Sequence, residues 1–154
     1  MKKITLFFSI ALALTSATSC KKEKGGCTDN LANNYSSDAE IDNGTCKFDR
    51  DAIIGNYITN GSQNCDGDSY PYSDLPILFT ASSVAKNKVL LNLDGTNFPC
   101  TISGTSITLE NKSESGVNYS GSGQVNGNVI TLNLTEYDVA DDVTCITNLT
   151  GTKQ

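Results

Sequence analysis

Residues 117–137 read Val-Asn-Tyr-Ser-Gly-Ser-Gly-Gln-Val-Asn-Gly-Asn-Val-Ile-Thr-Leu-Asn-Leu-Thr-Glu-Tyr, and this stretch decides the fold. Asn126-Gly127 is the preferred two-residue hairpin turn, because both central positions need positive φ. After it Ile130, Leu132 and Leu134 alternate with Thr131, Asn133 and Thr135. That period of two belongs to a strand with one buried and one wet face.

The same grammar extends in both directions. Strands are predicted near 53–60, 76–83, 87–93, 98–103, 105–111, 117–124, 128–137 and 142–151, with Asp94-Gly95 and Ser103-Gly104 as further turns. Val89, Leu91 and Leu93, then Phe98, Cys100 and Ile102, then Ile107 and Leu109, then Val143, Cys145 and Leu149 supply the inward face. Consecutive hairpins make every neighbour antiparallel, and closure of eight strands removes the edges that invite aggregation. The expected class is all-β: an up-and-down meander closed as an eight-stranded barrel, with a sandwich as the alternative. Large inward residues such as Phe79, Leu91, Phe98, Ile107 and Leu132 argue for a filled interior.

Gly55-Asn56-Tyr57, Cys65-Asp66-Gly67, the run from Ser120 to Leu132, Thr144-Cys145 and the closing Thr150-Gly151-Thr152-Lys153-Gln154 resemble small Bacteroidota envelope proteins and lipocalin-like domains. Gly-Asn-Tyr stands where true lipocalins carry Gly-x-Trp, and this chain has no tryptophan. The resemblance implies a β-meander able to hold a small apolar ligand or a glycan.

At the other end, Lys2 and Lys3 precede an apolar run from Ile4 to Leu14 and small residues from Thr15 to Ser19. That order is a secretory signal, and the apolar run is short for a bilayer span, which needs about 20 residues. Ala17-Thr18-Ser19-Cys20 resembles the lipobox of bacterial lipoproteins in a relaxed Bacteroidota form, with Ala17 in the usual aliphatic position. It implies cleavage after residue 19, a diacylglyceryl thioether and amine acylation on Cys20, and permanent anchoring by several acyl chains. Ordinary signal cleavage near Ala17 is the competing reading. The predicted address is the bacterial outer membrane, on either face, with residues 20–26 as lipidated cysteine and tether.

Cys27 and Cys46 bracket a module over residues 27–47 and form a disulfide in an oxidising compartment, worth about 3 kcal/mol in the chain-entropy model. Gly26-Cys27-Thr28-Asp29, Ala32, Asn34-Tyr35, Ala39, Asp42, Gly44 and Cys46 match, letter for letter, a short module frequent in extracellular Bacteroidota proteins. Asp29, Asp38, Asp42 and Asn43 supply oxygen donors suited to calcium, the one cofactor considered. A tight turn at Asp42-Asn43-Gly44, with Asn33 or Asn34 as a cap, explains the same residues without metal.

Five cysteines remain once Cys20 is lipidated, so one has no intrachain partner. In the body, residues 51–154, a closing meander brings its first and last strands together and favours Cys65 with Cys145. Cys65 with Cys100 is the competing pairing. In the first case Cys100 is a buried thiol between Phe98 and Ile102.

The chemistry available is narrow. The chain has no histidine, which removes imidazole dyads and imidazole ligands. Eleven basic side chains, two of them Lys2 and Lys3, face seventeen acidic ones, which disfavours nucleic acid. The carboxylates Asp66 with Asp68, and Asp138 with Asp141 and Asp142, fall in turn sequences where solvated acids are expected, so a hydrolase is a distant alternative. No catalytic residue is assigned. Tyr70, Pro71 and Tyr72, read as a long loop after Cys65, are candidate ligand contacts over a barrel end, or a lid that closes it. The expected role is non-catalytic: a binding module, or an interaction protein that contacts envelope components.

Overall fold

The computed structural model describes residues 22–154. The signal region and Cys20 lie outside the described residues. The body is the expected all-β barrel: β3 (Gly55–Cys65), β4 (Asp68–Ala81), β5 (Lys88–Leu93), β6 (Thr96–Ser103), β7 (Ser106–Glu114), β8 (Val117–Asn126), β9 (Val129–Asp138) and β10 (Val143–Lys153) close in the order β10-β3-β4-β5-β6-β7-β8-β9. Every pairing is antiparallel.

Preceding the barrel are two short strands, β1 (Gly25–Gly26) and β2 (Ile41–Asp42), which pair in parallel inside the Cys27–Cys46 module. A one-and-a-half-turn helix, α1 (Asp49–Ile53), follows. No helix was expected here, and its last residue, Ile53, was expected to begin the first strand. Its first turn is held by the Asp51 carboxylate, which accepts the Phe48 backbone N–H at 2.8 Å.

The helix closes one end of the barrel. Ile53 is fully buried, and its carbonyl accepts the Tyr57 hydroxyl at 2.8 Å. Arg50 donates to the carbonyls of Ser82 and Ala85, both at 2.8 Å, which ties the helix to the β4–β5 loop. Asp49 accepts from Asn33 of the module at 2.8 Å and from the Gly104 backbone N–H of the β6–β7 turn at 2.7 Å. Module and barrel thus meet at the closed end.

Above the helix the interior is solid. Tyr57, Phe79, Val89, Leu91, Cys100, Ile107, Ile130, Leu132 and Leu149 are buried in one continuous core, as the alternation in sequence required. On β8 the inward positions include Gly121 and Gly123, where a Cβ would stand 3.0 Å and 2.6 Å from the side chains of Leu134 and Leu132. The glycines leave room for leucines of the neighbouring strand, so the middle of the barrel is packed side chain, not calyx.

One expectation needs correction. The long loop after Cys65 does not exist: Asp66-Gly67, with φ of 48° and 99°, makes a two-residue turn, and β4 runs back from Asp68. Pro71 and Pro76 argue against a strand only where a ladder must be completed on both sides. Here β5 pairs with Ile77 to Ala81 alone, so the first half of β4 bonds only to β3 and stands as a projecting wall. Tyr70 and Tyr72 therefore sit on a strand. Tyr70 is 52% exposed, whereas Tyr72 packs against the core.

Candidate functional site

The end of the barrel opposite α1 is open. There, above the core, lies a cavity of about 450 Å³ lined by Leu75, Leu93, Phe98 and Tyr119 as apolar wall and by Gln63, Tyr72, Glu136 and Thr147 as polar groups. Its size falls within the range of small-ligand pockets, about 300 to 1,000 Å³.

Each side chain arrives by strand periodicity. Glu136 continues the inward series Ile130, Leu132 and Leu134 of β9, and Thr147 precedes Leu149 on β10. Gln63 follows Tyr57, Thr59 and Gly61 on β3. A register shift between Thr59 and Gly61, with the Asp74 backbone N–H bonded to the Asn60 side chain at 3.0 Å, bends the projecting wall. Tyr72 then donates to Gln63 Oε1 at 3.2 Å, and Gln63 Nε2 donates to Glu136 Oε2 at 3.3 Å. Three strands are linked across the mouth by this chain of bonds.

Burial raises the pKa of the Glu136 carboxyl above its ordinary value, against the opposing effect of the Gln63 bond. No cation pairs with Glu136 among the described residues. Thr147 is 4% exposed and lines the same cavity. Phe98 and Tyr119 meet edge to face with ring centroids 5.2 Å apart. The ammonium of Lys112 lies 5.2 Å from the centre of the Phe98 ring and is ion-paired with Glu114 at 2.6 Å.

The cysteines fall as the closing meander favoured. Cys65 is bonded to Cys145 at the rim beside Glu136, and Cys100 is free and buried. Burial pushes the Cys100 thiol up to about 12, so it is no nucleophile at neutral pH.

The calcium donors are not brought together. Asp29 accepts the Leu31 backbone N–H at 2.9 Å, Asp42 that of Gly44 at 2.9 Å, and Asn43 that of Thr45 at 3.1 Å. Asp38 lies 3.4 Å from Lys24. These are turn bonds and a surface ion pair, and among the described residues no group of three acidic or cysteine side chains converges on a point. The carboxylates of the other end also serve turns: Asp138 accepts from the Ala140 backbone N–H at 2.8 Å, and Asp142 accepts the Tyr137 hydroxyl at 3.0 Å.

Gln63, Glu136 and Thr147 were not singled out in the sequence. Glu136 was legible there as the fourth member of an inward alternation. Gln63 was not, because the strand that carries it past residue 60 has no apolar partner series.

No protein-family model matches the chain, and no curated protein sequence does. Among solved structures it is similar to a structural-genomics protein of unknown function from Bacteroides ovatus, at 18% identity and a TM-score of 0.48. That match covers 66% of this chain and 41% of the other, so the chain spans less than half of that protein's length.

Proposed function

We propose that the chain is an envelope lipoprotein, anchored through Cys20, whose barrel is a non-catalytic binding module with its ligand seated in the open mouth. The observation that carries this reading is the cavity of about 450 Å³ above a solid core, open at one end only. Depth separates it from a lipocalin-like carrier: a ligand here rests on Leu75, Leu93 and Phe98 and does not enter the barrel axis. The module is bonded to the closed end through Asp49, so module and mouth occupy opposite poles.

Native mass spectrometry of the full chain, released from detergent after secretion into an oxidising compartment, tests the reading. A small organic adduct that is retained by the parent and lost when Leu75 and Leu93 are both changed to Trp, which fills the mouth, is the expected result. A bare protein in every preparation, including one exposed to envelope extract, would overturn it.

A second reading has its own observation. Leu31 and Val84 are 71% and 80% exposed near the closed end, which suits contact with another envelope component.

A further inference from the structure

The charges of the barrel are sorted by pole. Three of the four turns at the open end carry acid, Asp66, Asp94, and Asp141 with Asp142, and Glu114 is the last strand residue before the fourth. The three turns at the closed end, residues 82–87, 104–105 and 127–128, carry none; Lys86, Lys88 and Lys153 lie there, and the acids of that end, Asp49 and Asp51, belong to α1, where both carboxylates accept backbone N–H groups. Turn chemistry alone does not require this. Asp66, Asp94 and Asp142 do hold positive φ, yet the β8–β9 connection reverses with Gly127-Asn128 and no charge.

Inside the acidic rim the cavity offers aromatic rings, the hydroxyl of Thr147, and a half-buried carboxylate with no cationic partner among the described residues. One ammonium already sits on a ring of this mouth, that of Lys112 over Phe98, with its charge matched by Glu114. Glu136 has no such match. Resting on the reading of the mouth as a ligand site, we infer that its occupant is a small organic cation, a primary or quaternary amine attached to an apolar body. The ammonium pairs with Glu136 and lies against Tyr72 and Tyr119, and the apolar part fills the space between Leu75, Leu93 and Phe98. Aromatic faces and a desolvated carboxylate both select positive charge. The acidic rim concentrates such a ligand at the opening and accelerates its capture at low salt. An anionic ligand meets repulsion at both stages.

Isothermal titration of the full chain in a neutral detergent with three probes of one shape tests the inference: phenethylammonium, 2-phenylethanol and 3-phenylpropionate. The amine is expected to bind about tenfold or more tighter than the alcohol, with the carboxylate weakest. Glu136→Gln is expected to erase the preference for the amine while the alcohol binds as before, which shows that the variant is folded. Equal binding of amine and alcohol, or tightest binding of the carboxylate, would overturn the cation and leave the mouth as a neutral pocket. Failure of all three at millimolar concentration would overturn the mouth as a small-ligand site altogether.

Discussion

Gln63 and Glu136, 73 residues apart in sequence, meet across the mouth of the barrel with Nε2 3.3 Å from Oε2. The contact joins the first barrel strand to the eighth in the sheet order and opposes the rise in pKa that burial imposes on the Glu136 carboxyl. The charged side chains that share this mouth are Asp94 and, above Phe98, Lys112, with the hydroxyls of Tyr72 and Tyr119 beside them.

Burial raises the folded-state pKa of Glu136, so the folded chain holds this proton more tightly than the unfolded chain does. Its contribution to stability is therefore fully present below the unfolded value near 4.5 and is lost as pH rises through the folded value. Glu136→Gln is expected to raise Tm at pH 7, leave it little changed at pH 4, and flatten the dependence between them. A scan of Tm against pH for both chains checks this.

The Cys65–Cys145 bridge spans 80 residues of sequence, and in the chain-entropy model it is worth about 4 kcal/mol. Replacing both cysteines with serine is expected to lower the urea midpoint accordingly. The Cys100 thiol is expected to resist alkylation in the native protein and react fully in denaturant, with the modified peptide mapped by mass spectrometry.

Gly123→Val places methyl groups where the Leu132 side chain and the Thr131 carbonyl already stand. Overpacking of this kind costs about 1–3 kcal/mol, read from the denaturant midpoint. Gly127, with nothing within 4 Å of a Cβ but φ of 59°, is expected to tolerate Asn better than Val.

Asp49→Ala removes the acceptor shared by Asn33 and the Gly104 backbone N–H. The expected loss is about 1–3 kcal/mol, with faster hydrogen exchange at Gly104. Exchange at the core strand position Leu91 is expected to change only in step with global stability.

Much of the barrel was legible because strand and turn chemistry agree over residues 88–153. The series Ile130, Leu132, Leu134 fixes which face of β9 is inward, although the hairpin turns at Gly127-Asn128, one residue later than Asn126-Gly127, with Asn126 paired to Val129; closure then puts Cys65 opposite Cys145. The β3–β4 projection was hidden because residues 61–76 are polar and contain two prolines, features of a loop unless one side of the strand is unpaired. That projection carries Gln63, which was hidden with it, and Tyr72, which was singled out but placed on a loop. The short α1 escaped because its five residues are too few for a helical period; it is held by Asp51, Arg50 and the burial of Ile53.

In the proposed reading, ligand binds in the mouth and the barrel beneath is solid. Methyl-labelled NMR of the full chain, titrated with phenethylammonium, tests it most directly. Saturable shifts are expected at the methyls of Leu75 and Leu93, with those of Leu91 and Ile130 unmoved. Shifts that centre on Leu91 and Ile130, or that leave Leu75 and Leu93 untouched, would contradict it.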